Sequence, residues 1–88
     1  MDVRDRNDYA EGHIPGAKNY RLQDIRFDEK VPDLSEYSVI LVYGRSIGSA
    51  RAIAMTKRLL GAGYKKVFLL DEGLAGWRAQ GGVVETGE

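Results

Sequence analysis

Val39-Ile40-Leu41-Val42-Tyr43-Gly44-Arg45-Ser46-Ile47-Gly48-Ser49-Ala50-Arg51 is the stretch that decides how this chain folds. The unbroken apolar run up to Tyr43 predicts a fully buried strand and the amphipathic segment from Ser49 predicts a helix, so Gly44 to Gly48 form the turn between them. Two glycines let the backbone curl, and the free N–H groups of the following helix point back into the curl. Arg45 and Arg51 add positive charge, and the combination favours an anion. If the loop supported nucleophilic chemistry of the thiol kind, a cysteine would be expected at the end of the strand, where this sequence has Gly44. The loop has the form of a catalytic one without its nucleophile.

Downstream of the loop, Ala50, Ile53, Ala54 and Leu60 make one helical stripe, with Ala52, Met55 and Leu59 beside it. This broad apolar face suits a helix lying on a sheet. Gly61-Ala62-Gly63 ends the helix. Lys65-Lys66 lead into Val67-Phe68-Leu69-Leu70, a second buried strand, and Asp71-Glu72-Gly73 turn into a last helix carrying Trp77. Trp77, Tyr64 and Phe68 read as core residues, and the glycine-rich tail from Gly81 as surface. Upstream, Asp2-Val3-Arg4 reads as the end of a strand. Asp5 is expected to cap a short helix with its carboxylate, and Gly12 to stop it. His13-Ile14-Pro15-Gly16-Ala17 is a turn in which Gly16 takes a positive angle, followed by a short helix over Tyr20, Leu22 and Ile25. Arg26 to Ser38 reads as a crossover that tucks Phe27, Val31, Leu34 and Tyr37 inward. Strand, helix, strand, helix with right-handed crossovers implies a parallel α/β sheet flanked by helices on both faces, with sites at the carboxyl ends of the strands.

The 88 residues make one domain, 1–88, with no repeat or linker. Net charge is zero, which disfavours nucleic acid as a partner, yet the charge is uneven. Ser38 to Leu70 holds six basic residues and no acidic one, while residues 1–37 hold nine acids and six bases. With no cysteine, disulfides, Cys-ligated zinc and any thiol mechanism of the chain's own are excluded. No run approaches the roughly 20 apolar residues that span a bilayer, so no membrane partner is expected. The start carries no signal-like segment, which makes the cytoplasm the default compartment.

Other loop chemistries fail on their residues. A phosphate loop needs Lys and then Ser or Thr after its second glycine, and Gly48 is followed by Ser49-Ala50. Gly61-Ala62-Gly63 follows a helix and precedes a strand, the reverse of a dinucleotide fingerprint. Ser46 or Ser49 as a nucleophile needs a base, and the single histidine, His13, lies in the Pro-Gly turn, so both serines are expected to cap or to bond within the loop. One histidine and no cysteine leave too few ligands for a transition metal, and no cofactor motif remains.

Taken together, Asp2-Val3-Arg4, Glu11-Gly12-His13-Ile14-Pro15-Gly16-Ala17, the loop after Val42-Tyr43 and Glu72-Gly73-Leu74-Ala75-Gly76-Trp77 resemble the rhodanese-homology family, in order over nearly the whole chain. The resemblance implies a loop whose cysteine carries sulfane sulfur from a donor such as thiosulfate to cyanide or another thiol. Such a persulfide is anionic and is stabilised by backbone N–H groups. That cysteine falls on Gly44, and the rest of the loop on Arg45, Ser46, Ile47, Gly48 and Ser49. Ile47 stands where a glycine is frequent and Ser49 where an arginine is frequent, so a reshaped loop is expected, with Ile47 ill-suited to a positive angle. The resemblance puts Asp2 and Arg4 beneath the loop as supports, beside Arg51. It also implies a strand and helix ahead of Asp2, so the chain is either a short form or lacks one sheet edge. The functions that follow are a non-catalytic module holding an anion or a partner protein at the loop, a sulfurtransferase whose thiol is replaced here or supplied by a partner, or a purely structural domain.

Overall fold

The computed structural model describes residues 1–24 and 34–87. Strand β1 (Ile40–Tyr43) and strand β2 (Val67–Leu70) pair in parallel, Ile40 opposite Val67 through Tyr43 opposite Leu70, and helix α2 (Ala50–Gly61) makes the crossover. The Asp2 segment extends this sheet on the far side of β1. Val3 N–H donates to the Tyr43 carbonyl and Tyr43 N–H to the Met1 carbonyl, at 3.1 and 3.0 Å, and Asp2 also bridges Asn19 in parallel. Helix α1 (Arg6–Glu11) and helix α3 (Gly73–Ala79) complete an α/β fold around a small parallel sheet.

The core lies between the sheet and α2, where Val3, Leu34, Ile40, Val42 and Val67 meet Ala52, Met55 and Leu59. The stripe that faces the sheet is therefore the one expected to lie beside it. Ala50 and Leu60, assigned to the inner face, are exposed, while Ile53 and Ala54 are half-buried. Adjacent stripes share the helical period, so only the direction in which α2 leaves the loop selects between them.

The strands are not buried on both faces. Val39, Leu41 and Phe68 are 54%, 43% and 55% exposed, so the side of the sheet away from α2 is open at these residues. Phe68 is thus not core, whereas Tyr64 packs against the core and Trp77 is half-buried, its indole N–H donating to the Val83 carbonyl at 2.7 Å. The tail is not merely surface either. His13 and Glu85 exchange backbone hydrogen bonds of 2.9 Å in both directions, which straps it to the turn after α1.

Asp5 occupies the N-cap position of α1, but its carboxylate makes no capping bond; it accepts from Arg51 instead. Gly12 ends α1 and Gly16 takes φ 83°, as expected. Leu22–Asp24 forms a 3-10 turn. Ile25, Phe27 and Val31 lie outside the described residues. Leu34 does tuck into the core, whereas Tyr37 is 44% exposed.

Candidate functional site

The turn between β1 and α2 is held from below by α3. Leu74 N–H donates to the Gly44 carbonyl at 3.0 Å and Ala75 N–H to the Arg45 carbonyl at 2.9 Å. Such a close seat requires glycine at the start of α3. Gly73 has φ 64°, and a Cβ there would lie 2.7 Å from Ser46 N and 2.8 Å from both the Arg45 carbonyl carbon and the Gly44 oxygen. Gly48 N–H points to Asp71 Oδ1 at 3.4 Å.

Gly48 carries the positive angle of the turn, φ 75°, and among the described residues only glycines have one. Ile47 is therefore not strained, contrary to the expectation from its β-branched side chain; it stands out into solvent, 74% exposed. Ser46 is exposed as well. Ser49 caps α2, its Oγ accepting from Ala52 N–H at 3.2 Å.

Gly44 is buried, and the space beside its Cα is filled. A Cβ built there would overlap the Ser49 hydroxyl, lie 2.6 Å from Ser49 Cβ and lie 3.6 Å from Ala52 Cβ. Gly44 accordingly does more than omit a side chain, because the Ser49 side chain occupies the place that one would need.

An open cleft of about 390 Å³ lies between this loop and α1, with Val3 and Arg4 in its floor. Both loop arginines reach across it. Arg45 Nη2 is 2.9 Å from Asp8 Oδ2 and Arg51 Nη1 is 3.2 Å from Asp5 Oδ1. These acids were not legible as site residues, since the pairs are 37 and 46 positions apart and only the tertiary fold makes them neighbours. Gly73 and Asp71 were missed for the same reason.

Asp2 and Arg4 bond to each other beneath the cleft rather than to the loop. The Asp2 carboxylate accepts from Arg4 N, Nε and Nη2 at 2.8–3.2 Å, and Arg4 Nη2 also donates to the Gly12 carbonyl at 2.6 Å. Burial by itself would lower the Arg4 guanidinium, but the hydrogen bond and charge of Asp2 outweigh it and hold Arg4 above its ordinary value. Asn19 Nδ2 ties the same segment through the Asp2 and Arg4 carbonyls. Tyr43, fully buried, has its phenol pushed well up by burial, and its oxygen accepts from Ile14 N–H at 3.1 Å.

His13 serves another part of the molecule. Its ring stacks on Tyr9 with centroids 3.8 Å apart, Nδ1 lies 2.8 Å from the Tyr9 carbonyl and Nε2 lies 3.1 Å from Glu85 Oε1. Glu85 also accepts from Gly16 N–H at 2.9 Å, and these two bonds lower its carboxyl below the ordinary range. The histidine therefore braces the turn and the tail, and neither Ser46 nor Ser49 has it as a base.

The order of these parts along the chain is that of a known family, whose profile, described as "Rhodanese-like domain", matches residues 1–80. The chain belongs to the rhodanese-like domain family. The rhodanese-like domain of the Alr3790 protein from Anabaena sp. superimposes with a TM-score of 0.72 at 34% identity, covering 96% of this chain and 82% of that one. YibN of Escherichia coli strain K12, an uncharacterized protein, is 36% identical over 84 residues, which is 91% of this chain and 55% of YibN. Thiosulfate sulfurtransferase GlpE of Pseudomonas entomophila strain L48 is 32% identical over 80 residues, 90% of this chain and 69% of GlpE. The rhodanese-like domain thus spans about half the length of YibN. No helix among the described residues is long and apolar enough to cross a membrane.

Proposed function

We propose that this rhodanese-like domain binds an oxyanion-bearing ligand at the Gly44–Ser49 loop, free or carried on a partner protein, and does not transfer sulfur through a nucleophile of its own. The observation that carries this reading is Gly44 together with Ser49. The chain contains no thiol, and the position at which the family resemblance puts the cysteine is closed by the Ser49 side chain. What remains is a cleft with Arg45 and Arg51 at its rim and the start of α2 beside it.

In the free protein Asp8 and Asp5 neutralise the two arginines. A ligand oxyanion takes the place of these carboxylates, so binding is a competition rather than the filling of an empty positive site. The exchange costs little, because Arg45 and Arg51 are 73% and 55% exposed and such surface pairs are weak. It also sets a preference for ligands that present two or three acceptor oxygens over a single carboxylate.

The test is a titration of the uniformly labelled domain with sulfate, phosphate and thiosulfate, followed through backbone amide shifts. Saturable movement of the Ser46 to Ala52 amides and the Arg45 and Arg51 guanidinium signals at millimolar anion is the expected result. An unmoved loop with shifts elsewhere refutes the assignment. The sulfurtransferase alternative, favoured by the similarity to GlpE, requires a partner thiol; sulfur loading of that thiol in a mixed complex, read by mass spectrometry, would establish it instead.

A further inference from the structure

Arg4 lies in the floor of the cleft between the loop and α1, and its hydrogen bonds leave part of its guanidinium unused. The Asp2 carboxylate accepts from Nε and Nη2, and the Gly12 carbonyl accepts from Nη2 as well. Nη1 makes no hydrogen bond among the described residues. A guanidinium held along its Nε–Nη2 edge turns Nη1 away from the carboxylate that holds it. The residue keeps 9% of its surface, and it lines the cleft with that remainder. A donor this enclosed calls for an acceptor, and the protein's own groups do not supply one.

The three arginines of the cleft differ in how firmly they are set. Arg45 and Arg51 are 73% and 55% exposed, whereas the fully buried Asp2 carboxylate and the Gly12 carbonyl fix the Arg4 fork in place. A donor fixed beforehand loses little freedom when a ligand arrives. The charges also divide the work. Asp2 cancels the charge of Arg4, so the floor offers hydrogen bonds without net charge, while Arg45 and Arg51 offer two positive charges once Asp8 and Asp5 are displaced. Two charges at the rim and a donor beneath them match a tetrahedral dianion, which can give one oxygen to the floor and the others to the rim. A carboxylate has one charge and two oxygens, and the rim uses both oxygens.

We infer that Arg4 Nη1 is the floor ligand of this cleft, and that the group it selects is a terminal tetrahedral dianion, of the sulfate, thiosulfate or phosphate-ester kind. This rests on the reading of the Gly44–Ser49 loop as an anion site. It adds a buried binding residue to that site and narrows the ligand from oxyanions in general to those with two charges and a third oxygen. Arg4 is then more than a brace for the Asp2 segment, because the bonds that hold it also aim its free nitrogen.

Guanidinium and amide spectra of the uniformly labelled domain, recorded as sulfate, methanesulfonate or acetate is added, test the inference. Sulfate is expected to shift the Arg4 Nη1 protons with the same midpoint as the Ser46 to Ala52 amides, while Arg58 in the last turn of α2 stays unmoved. Methanesulfonate presents the same three-oxygen face with one charge fewer and should bind about tenfold more weakly; acetate should move the rim arginines and leave Arg4 as it was. Arg4→Lys keeps a positive charge beside Asp2 and removes Nη1. Its sulfate affinity is expected to fall about tenfold with acetate affinity unchanged, a split that a purely structural role would not produce. The parent-chain spectra decide the matter whether or not Arg4→Lys folds. Loop amides that respond to sulfate while Arg4 stays silent overturn the inference and leave the loop reading standing, as does sulfate binding no tighter than methanesulfonate. A loop that responds to none of the three anions overturns both.

Discussion

Restoring a thiol by Gly44→Cys is the most direct perturbation of the candidate site, and the structure argues that it fails when made alone. The new Cβ would lie 2.6 Å from Ser49 Cβ, well inside contact distance, and it would overlap the Ser49 hydroxyl. Rotating the hydroxyl away does not relieve the Cβ contact, so the start of α2 must shift and the bond to Ala52 N–H is lost. Losing a serine cap costs about 1 kcal/mol and forcing atoms into a filled site about 1–3 kcal/mol, giving an expected destabilisation of about 2–4 kcal/mol. For a domain of this size that lowers Tm by roughly 10–20 °C. Adding Ser49→Gly removes the obstructing atoms, and glycine at an N-cap is only a few tenths of a kcal/mol worse than serine. The double variant is therefore expected to regain most of the stability and to be the first form to transfer sulfur from thiosulfate to cyanide. Thermal and urea unfolding of both variants, with the sulfur-transfer assay alongside, supplies the check. A single variant as stable as the parent, or active without the second change, refutes the reasoning that the helix cap has closed the nucleophile position.

The seat of the loop on α3 predicts that Gly73→Ala costs upward of about 3 kcal/mol in urea unfolding, because it adds a Cβ at a positive φ and against backbone. Gly61→Ala, with nothing within 4 Å and no positive φ, is expected to stabilise by about 0.5–1 kcal/mol in the same assay. Asp5→Asn with Asp8→Asn leaves both loop arginines without their internal carboxylates, so sulfate affinity measured by amide titration should rise several-fold; an unchanged affinity means the arginines do not hold the anion. Glu85 has its folded-state pKa lowered from an ordinary 4.5, chiefly by the Gly16 N–H and then by His13, so its contribution is present above pH 4.5 and is lost as pH falls through the lowered value. Unfolding of Glu85→Gln and of the parent chain should accordingly differ by a constant amount above that range and converge below it, with a gap that persists into strong acid counting against the assignment.

Much of the architecture was legible because it rests on local chemistry. The apolar runs at Ile40–Tyr43 and Val67–Leu70, the serine cap at Ser49 and the glycines that end α1 and α2 each act within a few residues, and a strand–helix–strand order admits few topologies. The missing nucleophile was equally plain, since the absence of every cysteine needs no coordinates. What was misread were choices between equivalent patterns. Ala52, Met55 and Leu59 fit the helical period no better than Ala50, Ile53 and Leu60, and Leu41 and Phe68 look as buried in sequence as Val42 and Val67.

The sequence by itself determined the order of elements, the family and the lack of a thiol, because each depends on residue identity and short-range spacing. Only the tertiary structure decided that Asp5 and Asp8 neutralise Arg51 and Arg45, that Gly73 lets α3 hold the loop, and that Ser49 fills the space beside Gly44. Ser49 is only five positions from Gly44, but its side chain takes that place through the direction in which α2 leaves the loop. The other contacts join positions from 27 to 46 residues apart, and the sheet and α2 set their distances rather than any run of neighbouring residues.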